Sequence, residues 1–185
     1  RTGGLIAASP SRPAIPPPAS VLGYEIGTWH ATHAGAQAYV HALAAAAPSR
    51  VKLVDYARSW EGRVLSYLVI SSEDNIANLD SRRSALAKLA DPRGRSAEEL
   101  KAAVEGARPV VWLGATVHGD EHSGTEALLA LAYHLAACED EDIRALRERT
   151  IVVIDPIQNP DGRERWVNWQ TSASLRQAGA DGAGI

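Results

Sequence analysis

A chain of 185 residues with 45% apolar content can bury one sizeable core, and its length fits one domain or the larger part of one. Its net charge of −3, with 22% charged residues of mixed sign, offers no basic face for nucleic acid and no polybasic membrane patch, and no apolar run approaches the ~20 residues of a membrane span. The single cysteine, Cys138, excludes an internal disulfide and reads as a buried thiol at a helix end.

In chain order, residues 1–20 are rich in Pro, Ala and Ser, lack periodicity and read as a flexible arm without chemistry. Such a stretch remains when a presequence is removed, so periplasmic or extracellular export is compatible with it. The chain contains no methionine, and we expect it to be processed or cut. An Ala-rich helix is expected over Thr32–Ala47, stopped by Pro48, with Ala36, Tyr39, Val40 and Leu43 able to face a core. His30, His33 and His41 fall on or beside it and read as surface histidines. Two strand-like runs, Val51–Ala57 and Val64–Ile70, predict a β-hairpin with Gly62 in its turn; Glu61 and Arg63 read as turn residues. Residues 71–90 pass from polar to helical, Asp91-Pro92-Arg93-Gly94 ends that helix, and a second helix is expected over Ala97–Glu105.

Pro109–Val117 is almost continuously apolar and rich in Val, as a strand buried on both faces would be. Ser123 is the expected N-cap of a helix over Thr125–Ala137. A short helix at Ile143–Glu148 and a second buried strand, Thr150–Asp155, follow. Strand, helix, strand implies a parallel pair with a right-handed crossover, in a sheet that the hairpin makes mixed. Pro156–Arg163 is dense in turn formers and should emerge at the same sheet edge as His118. From Gln170 onward the chain is rich in Ser, Ala and Gly without a closing element, so the domain is expected to be truncated at its C-terminal end.

The end of the first buried strand carries His118 and Glu121, three residues apart. An imidazole nitrogen and a carboxylate oxygen from one loop suit zinc and leave room for a third ligand and a water, which the metal makes nucleophilic near neutral pH. Open α/β sheets keep their sites at this end of their strands. A second metal reading takes His118, Glu121 and His122 as H-x-x-E-H, with two histidine ligands and a glutamate base. That chemistry needs all three on one helix face, whereas Gly119-Asp120 directly after a strand favours a loop, which leaves His122 as a helix-start residue. A third reading needs no metal and treats the stretch as a polar loop capping a helix.

Three motifs occur in order: Ser59-Trp60-Glu61-Gly62-Arg63 in a hairpin, His118-Gly-Asp-Glu-His-Ser-Gly124 after one buried strand, and Asn159-Pro160-Asp161-Gly162 after the next. Together they resemble the carboxypeptidase A-type zinc metallopeptidases over the stretch from Tyr24 to Gln170. The resemblance implies a three-layer α/β/α fold with a mixed, mainly parallel sheet, of which residues 21–185 would be the N-terminal portion of a catalytic domain. It implies one catalytic zinc, with His118 and Glu121 as its first two ligands, and hydrolysis of a C-terminal peptide bond or related amide. Asn159, Pro160, Asp161 and Gly162 would form a wall of the site, and Arg163, Arg165 and Arg176 are candidates for an arginine that stabilises the oxyanion. The family also needs a third ligand, a histidine, and a glutamate base further on, yet no histidine follows His134. Its substrate-carboxylate clamp is an Asn-Arg pair, and no Asn-Arg dipeptide occurs. The chain alone is therefore expected to be inactive, and a non-catalytic binding or structural module that keeps the fold is the alternative.

Overall fold

The computed structural model describes residue 12 and residues 14–181, with side chains as far as residue 174. Strands β1 (Val51–Arg58), β2 (Val64–Ile70), β3 (Val110–Gly114) and β4 (Ile151–Asp155) form one sheet in the order β1-β2-β4-β3. The hairpin closes where the sequence predicts, because Gly62 takes a φ of 81° and its N–H donates to the Ser59 carbonyl at 3.0 Å. Helices α6 (His122–Ala137) and α7 (Glu141–Arg149) connect β3 to β4, which pair in parallel from Val110 opposite Ile151 to Gly114 opposite Asp155. The sheet is mixed as expected, but among the described strands it is not mainly parallel: β1–β2 and β2–β4 are both antiparallel. The hairpin is the reason, since its second strand takes the place beside β4 that another crossover strand would need.

Helix α2 (His33–Ala46) starts at Thr32, whose hydroxyl accepts the Gly35 N–H at 3.0 Å. Its Tyr39, Val40 and Leu43 meet Leu129, Ala132 and Ala136 of α6 over one sheet face, where Leu68, Ile70, Val152 and Ile154 complete the core. On the other face, α4 (Leu79–Ala90) holds Leu79 and Leu86 above Tyr67, Val69, Val110 and Val153, around a cleft of about 370 Å³. Between them, α3 (Glu73–Ala77) leads into α4, and α5 (Ala97–Gly106) packs on α4 and opens with a capping box between Ser96 and Glu99. Helices thus lie on both faces of the sheet.

Three expectations change. Strand β4 is buried throughout, but β3 leaves Val110, Val111 and Trp112 45%, 43% and 54% exposed, because among the described strands it lies at the edge with β4 as its one neighbour. The packed chain begins before residue 21: Ile15 lies in the core at 3% exposure, and α1 (Pro18–Leu22) forms with a proline in its first turn. The rest of the expected arm, residues 1–11 and 13, lies outside the described residues. Finally, residues 156–159 stay irregular, but from Pro160 the described part of the turn-rich and small-residue stretch folds as one helix, α8 (Pro160–Asp181), since Pro160 suits a first helical position and alanines recur beyond it. Among the described residues no helix is long and apolar enough to cross a membrane.

Candidate metal-binding corner

Two loops leave β3 and β4 at the same end and are joined along their backbones. The Gln158 N–H donates to the Ala115 carbonyl at 3.0 Å and the Asn159 N–H to the Thr116 carbonyl at 2.9 Å. Strand β3 ends at Gly114, short of the expected Val117, because the chain turns at Thr116, whose φ of 57° is a left-handed value for a β-branched residue. Such a backbone persists only where its surroundings fix it. Thr116 is 2% exposed, and its hydroxyl lies 2.8 Å from that of Thr125, which donates to the Pro156 carbonyl at 3.0 Å. The start of α6 is thereby tied to the exit of β4. Nothing in the sequence marks this threonine pair.

The turn delivers His118 and Glu121 to each other. His118 Nδ1 lies 2.9 Å from Glu121 Oε1, and the His118 N–H donates to Oε2 at 3.0 Å. Both side chains are open to solvent, at 73% and 52% exposure. The hydrogen bond to Glu121 raises the His118 pKa above its ordinary value, and its reciprocal effect lowers that of Glu121. Because its carboxylate turns back to His118, Glu121 precedes α6 without capping it, and Ser123 lies inside the first turn instead of at the expected N-cap. The donors suit zinc: bonds of about 2.0–2.1 Å in tetrahedral geometry put ligand atoms ~3.3 Å apart, so the pair would open by a few tenths of an ångström. Among the described residues no group of three or more His, Cys, Asp or Glu could hold a metal.

Asn159–Gly162 adjoins this pair. The turn expected there is the start of α8: Asn159 Oδ1 accepts the Gly162 N–H at 2.9 Å as an N-cap, and Asn159 Nδ2 donates to the Val117 carbonyl at 3.2 Å. Gly119 rests directly on Gly162, since a Cβ on Gly119 would fall 2.1 Å from the Gly162 carbonyl carbon. Asp161 turns away toward the β1–β2 hairpin, where Ser59 Oγ and Arg63 Nη1 each donate to Oδ1 at 2.7 Å. Arg63 is therefore more than a turn residue. The Ser59–Arg63 motif was its only signal in the sequence.

The arginine candidates separate. Arg163 is fully buried and pairs with Glu126 at 2.5 Å, and it donates to the carbonyls of Ala31 and His122 at 3.1 and 3.0 Å. With its guanidinium so committed, it holds α6 and α8 together. Arg165 is exposed and pairs with Glu61 of the hairpin. Arg176 lies on α8, and its side chain is outside the described residues. The inverted H-x-x-E-H geometry does not form: His118 precedes α6, while the His122 ring stacks on Trp166 at 4.9 Å and its Nδ1 lies 3.1 Å from the Asp120 carbonyl. His134 stands near the far end of α6, about 18 Å along the helix from His122.

The sequence profile of the zinc carboxypeptidase family matches residues 36–182. Carboxypeptidase D from Homo sapiens is 38% identical over 76 residues, which is 40% of this chain and 6% of that protein. The crystal structure of carboxypeptidase A from Helicoverpa armigera superposes on 78% of this chain with a TM-score of 0.51 and 21% identity. That of thrombin activatable fibrinolysis inhibitor superposes on 75%, with a TM-score of 0.50 and 13% identity. The chain spans 31% and 27% of the length of those two structures.

Proposed function

The chain belongs to the zinc carboxypeptidase family, and from that premise we propose that His118 and Glu121 are two ligands of a catalytic zinc. Residues 21–185 would then be the N-terminal portion of a catalytic domain that hydrolyses C-terminal peptide bonds or related amides. The observation that carries the reading is the approach of His118 Nδ1 to Glu121 Oε1, 2.9 Å apart and open to solvent at the carboxyl end of a parallel strand. Bound zinc would supply a nucleophilic water near neutral pH. This chain's part is to present one neutral imidazole and one carboxylate on a fixed backbone, with Asn159 and Gly162 walling one side. Arg165 and Arg176 stay as proposed contacts to substrate or oxyanion, and Arg163 is withdrawn from that role. Export belongs to the same proposal and is tested by fractionating cells that make the full-length protein.

The test is a chelation and rescue experiment on the full-length protein with a peptide bearing a free C-terminus. Activity should vanish with chelator, return with zinc and be absent in His118→Ala, while that variant keeps its fold because the side chain packs on no core. Turnover that ignores chelator, or full activity in His118→Ala, overturns the assignment. The second reading is a binding module that keeps the fold. It predicts that the full-length protein shows no turnover with zinc present.

A further inference from the structure

The hairpin between β1 and β2 and the start of α8 are about a hundred residues apart in sequence and meet on one carboxylate. Asp161 Oδ1 accepts the Ser59 hydroxyl and Arg63 Nη1, each at 2.7 Å, and Oδ2 accepts the Glu61 N–H at 3.1 Å. Ser59 is itself fixed, since its Oγ accepts the Arg63 N–H at 3.0 Å and its own N–H donates to the Arg63 carbonyl at 2.8 Å. Glu61 pairs with Arg63 on one side and with Arg165 of α8 on the other, so acids and bases alternate from the hairpin tip to the helix. A hairpin tip with a fully exposed Trp60 has no packing of its own to hold it, so these charged bonds do.

The consequence lies one step further in. Asp161 sits between Asn159, which caps α8 and donates to the Val117 carbonyl, and Gly162, whose backbone bears on Gly119. A Cβ at Gly119 would come within 2.1 to 2.7 Å of three Gly162 backbone atoms, so this contact has no slack. Movement of the start of α8 is movement of the loop that carries His118 and Glu121. We propose that Ser59, the Glu61 N–H and Arg63 clamp Asp161 and thereby fix the geometry of the His118–Glu121 pair, with Arg63 and Asp161 as positioning residues. The purpose of the clamp rests on the zinc reading above; its existence does not. Partners one shell out from a metal commonly carry this duty, and losing them costs about 10- to 100-fold in metal affinity or activity.

The experiment uses the 185-residue chain labelled with nitrogen-15, without metal and at neutral pH. It compares the unaltered protein with Arg63→Met, Asp161→Asn and Arg63→Lys. In the first two variants the amides of residues 117–121 should exchange at least about tenfold faster, while those of the central strand β4 keep their protection. The His118 ring-nitrogen signals, which report the bond to Glu121, should move, and Arg63→Lys, which keeps the positive charge, should stay near the unaltered spectrum. A double variant should be no worse than either single one. Unchanged exchange and unchanged His118 signals in Asp161→Asn overturn the clamp, and so does an increase spread evenly over the chain. Should Arg63→Met fail to fold, Asp161→Asn and Arg63→Lys still decide it. Zinc added to the full-length protein separates the two readings: His118 ring nitrogens that ignore zinc there defeat the zinc assignment, while the clamp is judged on the metal-free spectra of the 185-residue chain.

Discussion

Arg163 and Asp161 lie two positions apart on α8 and their charges do opposite kinds of work. Burial lowers the Arg163 pKa, and Glu126 offsets that cost only in part, leaving Oε2 of the glutamate without a partner. A guanidinium taken wholly out of water needs its counter-charge, so removing either member strands the other. Arg163→Met and Glu126→Gln should each cost about 3–5 kcal/mol in urea unfolding, and a loss below about 1 kcal/mol would contradict the burial. At Asp161, burial opposes ionisation, but Ser59 and Arg63 outweigh it and hold the carboxyl below its ordinary range. A carboxylate with a depressed folded pKa stabilises above the unfolded value and loses that contribution as pH falls through the folded one. The stability gap between the unaltered protein and Asp161→Asn should therefore be full at neutral pH and shrink below about pH 4. Thermal melts across that range would show it, and a gap constant down to pH 2 would refute it.

Elements that declare themselves by period were legible, and those that depend on what lies beside them were not. The Ala-rich run gave α2 and the two Val-rich runs gave the hairpin, each to within a residue at each boundary. The parallel β3–β4 pair and the meeting of two loops at one end followed from strand, helix, strand. The exposure of β3 did not, because an apolar run does not say whether a strand has one neighbour or two. Nor did the fate of the arginines: three of them after one motif look alike until α8 turns Arg163 inward and Arg165 toward Glu61. Gly119 illustrates the same limit, since it reads as a loop former and is in fact a contact surface. Gly119→Ala must push Gly162 or its own loop aside, and overpacking of this kind costs about 1–3 kcal/mol. Gly62→Ala is the contrast, for nothing lies within 4 Å of that Cβ and only its φ of 81° is strained. Both variants should melt lower, but only Gly119→Ala should shift the His118 ring-nitrogen signals; a normal His118 spectrum there would show that the loop yields freely.

At the scale of the whole molecule the sheet is asymmetric. Helices α2 and α6 close one face over a continuous core, while β3 keeps an unguarded edge on which Val110, Val111 and Trp112 are exposed and no charged residue interrupts the run to Val117. Edges of that kind tend to pair with other strands, so the 185 residues by themselves should self-associate at high concentration, and Val111→Lys should suppress it. The proposed metal corner is asymmetric in the same sense, with two donors converging and a third not found among the described residues. Catalytic zinc sites use three protein ligands and a water, so a two-ligand corner should bind zinc orders of magnitude more weakly and release it readily. Of the carboxylates around this corner, Glu121 is engaged with His118, Glu126 with Arg163 and Asp161 with the hairpin, so none of these three is free to act as a general base. We therefore expect these residues alone to be catalytically inert toward a peptide with a free C-terminus. Zinc titration followed in the His118 ring nitrogens, run beside that assay, checks both halves. Submicromolar affinity together with turnover would mean that the corner completes itself from donors such as His122, whose ring would then have to leave Trp166.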